Sequence, residues 1–149
     1  VQATPLMMAM VAATVANKGE QMTPYLVSRT LDPDLNEVSS TSTKVARTPI
    51  DSATASSLSS LMQTAVAEGT GTSAQVSGVQ VAGKTGTAET GTDSGPTTWF
   101  VGFAGTDIDK PEIALAVVLD GNAETEDGAT GGKIAGPVAA QVIDAAVNQ

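Results

Sequence analysis

Apolar positions recur along this chain with two different periods, and the switches between them mark its elements. In the first segment Leu6, Met7, Met10, Val11 and Val15, with alanines between them, surround most of a helical circumference. Thr4 before Pro5 reads as an N-cap followed by proline at the first helical position, and Asn17-Lys18-Gly19 reads as a stop. A helix is therefore expected over residues 5–17, buried on several sides. Further on, Leu58, Leu61, Met62, Ala65 and Val66 fall at three- and four-residue spacing, opened by Pro49 and Asp51 and ended by Gly69. That spacing predicts an amphipathic helix.

Elsewhere the pattern is extended. Residues 25–31 are β-prone, and Asp32-Pro33-Asp34-Leu35-Asn36 supplies turn chemistry before Val38, so a hairpin is expected there. Residues 39–44 read as an exposed loop or edge. Glu68-Gly69-Thr70-Gly71-Thr72 reads as a tight connection into a strand over 76–87, where Val79 and Val81 alternate with Gln80 and Ala82. After a polar loop at 91–96, residues 99–104 and 113–119 form two further strands joined by a hairpin through 107–111. An acidic loop over 120–132 precedes a last helix at 137–147. The order helix, strands, helix, strands, helix lacks the regular βαβ alternation of a parallel sheet. It predicts a mixed α/β (α+β) fold, an antiparallel sheet with helices on both faces.

Composition narrows the chemistry. With 149 residues, 41% apolar, the chain can bury a core, and its 3% aromatic content means that small aliphatic side chains must fill it. Sixteen acidic residues against seven basic ones give a formal charge of −9, a field that repels nucleic acid. There is no Cys and no His, so disulfides and thiolate catalysis are excluded and a structural zinc site is strongly disfavoured. Hydroxyl, amine, carboxylate and backbone chemistry remain, and no cofactor is called for. The apolar runs at 5–13 and 113–119 are too short to span a bilayer, and no basic leader with a cleavage site is present. The start at Val1, almost directly on a helix, suggests a piece of a longer polypeptide.

Lys84-Thr85-Gly86-Thr87 is the best candidate site, because it joins a cation, two hydroxyls and a backbone position without Cβ in four residues. Such a set can hold a carboxylate and come close to a reacting carbonyl. The stretch from Gly78 to Thr85 also fits the phosphate-loop pattern G-x-x-x-x-G-K-[ST]. That mechanism needs a helix directly after the loop, and Gly86-Thr87-Ala88-Glu89-Thr90-Gly91 is a poor one, while the alternating valines before it favour extended backbone. Acidic groups at Asp120, Glu124, Glu126 and Asp127, and the 32–37 turn, lack the ordered calcium-loop spacing and read as solvated loops.

Taken with Glu68-Gly69-Thr70-Gly71-Thr72-Ser73-Ala74 upstream and Trp99-Phe100-Val101-Gly102-Phe103 downstream, the Lys84 motif resembles that of the transpeptidase domain of class B, monofunctional penicillin-binding proteins. Thr4-Pro5-Leu6-Met7-Met8-Ala9 looks like the helix after that family's second motif, and Gly132-Lys133-Ile134-Ala135-Gly136-Pro137-Val138 like the start of its last helix. The resemblance implies a serine D,D-transpeptidase that cross-links peptidoglycan stem peptides ending in D-alanyl-D-alanine and binds β-lactams. It also implies an extracytoplasmic location, a membrane anchor outside this chain, and cell-wall synthesis or division proteins as partners.

The family's nucleophile lies in an S-x-x-K motif, and no Ser here stands three residues before a Lys; Val15, Thr41, Val81, Asp107 and Thr130 occupy those positions. Nor is there an S-x-N. Residues 1–149 thus look like the carboxyl-terminal portion of one catalytic domain, with the amino-terminal remainder of the protein supplying the serine. By resemblance, Lys84 and Thr87 take the catalytic roles and Lys84, Thr85, Gly86 and Thr87 bind substrate. A β-lactamase, a D,D-carboxypeptidase, or a non-catalytic β-lactam sensor would use the same wall. One geometric demand follows from period two, since Thr85 and Thr87 lie on one strand face and Lys84 on the other. The strand must be at the sheet's edge, so that ligand meets its backbone sideways.

Overall fold

The computed structural model describes residues 2–89, 95–121 and 129–148. Its first helix, α1 (Pro5–Ala16), begins where the sequence signals it: the Thr4 hydroxyl accepts the Met7 amide at 3.2 Å. It ends at Lys18 and Gly19, both at positive φ, with the Gly19 amide returning to the Thr14 carbonyl. Ala12, Thr14 and Val15 are buried, whereas Leu6, Met7 and Val11 are exposed. The expected all-round burial is thus not met. Among the described residues α1 packs against the main sheet, the second helix and the strand that follows it, Gln21–Met22.

Between the helices lie two small antiparallel pairs. β1 (Gln21–Met22) joins β4 (Val45–Arg47), a pairing the sequence pattern does not announce because neither strand is longer than three residues. β2 (Arg29–Leu31) and β3 (Glu37–Ser40) form the expected hairpin, shorter than predicted, since residues 25–28 are irregular. Asp32 holds its turn by accepting the Asp34 and Asn36 amides, each at 2.9 Å, and the Asn36 side chain. Those bonds to Asn36 keep its carboxyl below the ordinary value.

α2 (Ser52–Ala67) is capped by Asp51, whose carboxylate accepts the Thr54 amide at 2.7 Å. That hydrogen bond holds the carboxyl below its usual value. A carboxyl depressed in the folded state adds stability above its unfolded value and loses it as the pH falls through the folded one. The stabilities of the chain and of Asp51→Asn, whose cap oxygen does not titrate, should therefore converge in melting curves taken between about pH 5 and pH 2, the unsubstituted chain losing more. A constant difference over that range would remove the cap's charge from the account. Ala55 and Val66 form the buried side of α2, while Leu61, placed by its spacing on the apolar face, is exposed.

The main sheet has the order β5-β6-β7, from β5 (Gln80–Ala88), β6 (Thr97–Gly105) and β7 (Ile113–Leu119), antiparallel throughout. β5 starts four residues later than predicted. Val76 and Val79 instead bridge each other around Gly78, whose φ of 77° suits a turn. Burial does not alternate along β5 either, because Val81 and Ala82 are both buried. The physical reason is that helices cover both faces, as the fold class anticipates. Ala82 and Phe103 meet Ala12 and Val15 of α1, with Met62 of α2 packed beside them. Val81, Phe100, Ala104 and Leu115 meet Ala135, Ala139 and Ile143 of α3 (Ala135–Val147). Phe100 is fully buried, and a Cβ at Gly83 would collide with its ring, so this glycine is set by the aromatic side chain beside it.

Candidate functional site

β5 is an outer strand of the main sheet, paired on one side with β6. Lys84, Thr85, Gly86 and Thr87 fall in its second half and face Val101, Phe100, Trp99 and Thr98 across the ladder. Lys84 and Thr87 are exposed, and Thr85 and Gly86 half-buried. The phosphate-loop alternative fails on geometry: Lys84 lies inside a nine-residue strand, not at the mouth of a helix.

Opposite strand faces do not keep the Lys84 ammonium away from the threonines. Its stem bends back so that Nζ donates to the Thr85 carbonyl at 2.8 Å. The cation therefore hangs beside the strand's backbone instead of projecting straight from its face. On its own side Lys84 borders a groove of about 450 Å³ whose walls include Met8, Val11, Leu58, Met62 and Trp99. Phe100 lies in the core, and Trp99, half-buried, lines that groove.

The other face of the strand is braced by two segments far away in sequence. Thr70 and Thr85 share a hydrogen bond between their hydroxyls at 2.6 Å. The Gly131 amide donates to the Thr87 hydroxyl at 3.2 Å, and Ser73 ties the two bracing segments together by donating to the Gly132 carbonyl. Gly131 lies so close to the strand that a Cβ there would stand 2.5 Å from the Gly86 carbonyl oxygen and 2.9 Å from its nitrogen. Thr70, Ser73, Gly131 and Gly132 escape a reading of the sequence as site residues. Their signal is a density of hydroxyls and glycines in two stretches, which says nothing of where each stretch docks.

Glu89 is exposed. Glu124, Glu126 and Asp127 lie outside the described residues, as do residues 91–94 of the polar loop. Among the described residues no group of three acidic side chains could hold a metal ion, and no helix is long and apolar enough to cross a membrane.

An antiparallel sheet clad by helices on both faces, with a Lys-Thr-Gly segment on an outer strand, defines a transpeptidase-like fold. The family model described as the penicillin binding protein transpeptidase domain matches residues 1–144, and the chain belongs to that family. It is 39% identical over 149 residues to the peptidoglycan D,D-transpeptidase PbpA of Mycolicibacterium smegmatis, covering 98% of this chain and 30% of that protein. Against PbpA of Mycobacterium tuberculosis the identity is 41%, over 97% of this chain and 29% of the relative. The chain thus spans about a third or less of the length of these relatives. Among solved structures, the ceftriaxone acyl-enzyme complex of M. tuberculosis penicillin-binding protein A superposes with a TM-score of 0.83 at 40% identity, covering 96% of this chain and 32% of that one. The imipenem acyl-enzyme complex of the same protein gives 0.78 at 36% identity, covering 97% and 31%.

Proposed function

We propose that this chain is the carboxyl-terminal portion of a serine-type D,D-transpeptidase domain and forms one wall of its active site. The observation that carries this reading is the position of Lys84–Thr87 on an outer strand, where the ammonium and the threonine hydroxyls lie beside an accessible backbone. Two further facts support it. Relatives aligned over nearly the whole chain are named as peptidoglycan D,D-transpeptidases, and similar structures are acyl-enzymes with β-lactams. Leu6, Met7 and Val11 leave an apolar side of α1 exposed, which suits a part of a larger domain better than a finished surface.

In this reading the stem peptide enters along β5 as an added strand, held by main-chain hydrogen bonds. Its terminal carboxylate meets Lys84, Thr85 and Thr87 in a locally positive spot within an acidic protein. A serine from the amino-terminal remainder attacks the carbonyl of the penultimate D-alanine, and the terminal D-alanine leaves with a proton as the acyl-enzyme forms. An amine of a second stem peptide then attacks the ester, releases the serine and completes the cross-link. The Thr87 amide, with that of the serine, stabilises the oxyanion in both steps, where one such donor is worth about 3 kcal/mol. Gly86 keeps the wall free of side chain where the reacting carbonyl approaches. β-Lactams enter by the same contacts and stop at the ester.

The 149-residue chain has no serine in an S-x-x-K motif and does not acylate alone. The domain works on the extracytoplasmic face of a bacterial membrane, held by an anchor outside this chain, alongside other cell-wall proteins. Labelling of the longer polypeptide with a fluorescent penicillin tests the reading. A covalent label that survives denaturation is expected on that polypeptide and not on residues 1–149 alone. An unlabelled longer polypeptide would leave a non-catalytic penicillin-binding module as the better reading.

A further inference from the structure

From the two braces behind the wall we infer that Thr70 and the Gly131 amide are positioning groups, which set the Thr85 and Thr87 hydroxyls as proton donors to the ligand's carboxylate. The inference rests on the reading of Lys84–Thr87 as a carboxylate-binding wall. Its own basis is the direction each hydrogen bond must take.

A threonine hydroxyl has one proton to give and lone pairs to receive. The Gly131 N–H can only donate, so at Thr87 it occupies an acceptor site and leaves the hydroxyl proton to point elsewhere. Between Thr70 and Thr85, 2.6 Å apart, either oxygen can donate. A carboxylate removes that freedom, because it accepts only. Once it binds, Thr85 must turn its proton to the anion, and Thr70 then fills the vacated role by donating to Thr85. Each threonine thus meets the anion as a hydroxyl already receiving a hydrogen bond, which strengthens it as a donor.

The bracing segments are held for this role. Ser73 bonds to the Gly132 carbonyl, and a Cβ at Gly132 would press on the Thr70 carbonyl, so the loop after α2 and the turn before α3 sit against each other. Gly131 approaches the Gly86 backbone more closely than any side chain would allow. Thr70 therefore acts through Thr85 and touches no reacting atom.

The test uses the longer polypeptide, with acylation by benzylpenicillin and by its methyl ester followed over a range of concentrations. Thr70→Val keeps the shape of the side chain and removes its proton. It is expected to lower the second-order rate with the carboxylate form about fivefold, mainly by weakening binding and not by slowing the step at saturation. The ester's rate should change by less than about twofold, and Thr70→Ser should restore reaction with the carboxylate form to within about twofold. Equal losses with acid and ester, a serine variant as impaired as valine, or no loss at all would each overturn the role of Thr70. Lys84→Ala in the same assay separates the two ideas. A polypeptide indifferent to Lys84→Ala refutes the wall itself, whereas one that needs Lys84 and ignores Thr70→Val refutes only the positioning.

Discussion

Lys84→Ala in the longer polypeptide is expected to reduce acylation by benzylpenicillin by about 30-fold or more. A hydrogen bond to a charged group contributes about 1.5–3 kcal/mol, and each 1.4 kcal/mol is a factor of ten. The exposure of Lys84 argues for the lower part of that range, because water screens the charge. Other features raise the expectation: the protein is acidic overall, so a carboxylate has little long-range attraction to rely on. The ammonium already lies on the Thr85 carbonyl, at the strand's backbone, beside the place where the proposed wall would receive a carboxylate. Two measurements check the result. The second-order acylation rate should fall, and the decline of that rate with added salt should be shallower in the variant. A loss below about threefold, with salt dependence unchanged, would remove Lys84 from the wall.

Phe100→Ala is expected to have the largest effect on stability, about 3–5 kcal/mol, out of the 5–15 kcal/mol typical of a whole domain. Three observations single out this residue. Its side chain is fully buried, it belongs to the cluster that joins the main sheet to α3, and its ring fills the space over Gly83 that a Cβ would otherwise occupy. Truncation leaves a hole walled by strand backbone, which cannot collapse as a flexible side chain could. The consequence reaches the site, since Phe100 is the cross-strand partner of Thr85. A urea titration followed by circular dichroism should show the midpoint falling sharply, with a smaller fall for Trp99→Ala, whose ring is only partly covered. Equal midpoints for Phe100→Ala and the unsubstituted chain would show that α3 and the sheet are held by other contacts.

These two residues illustrate how unevenly the sequence discloses the protein. Helix ends were legible, because a cap is made by groups three residues apart: Thr4 with Met7, Asp51 with Thr54. The 32–36 turn and the hairpin joining β6 to β7 were legible for the same reason. The start of β5 was misplaced, since Val76 and Val79 continue an alternation that the turn at Gly78 interrupts. Leu6, Met7, Val11 and Leu61 were expected to be covered and are not, because periodicity reports which face of a helix is apolar without naming what lies against it. The Lys84–Thr87 motif was picked out by the adjacency of its four residues in a chain without Cys or His. Its dependence on an edge position followed from the pleat.

Sequence by itself determined what short-range chemistry can determine: caps, turns, helix and strand periods, the exclusion of thiol and imidazole chemistry, and a four-residue cluster of one cation, two hydroxyls and a glycine. Tertiary structure alone decided that β5 lies on the outside of its sheet, that the Lys84 ammonium curls onto the Thr85 carbonyl, and that Thr70 and Gly131 brace the threonines from 15 and 44 residues away. The division has a physical origin. Local conformational preferences are written residue by residue, whereas strand order and the docking of distant loops depend on how a whole core closes around Phe100, Phe103 and Ile143.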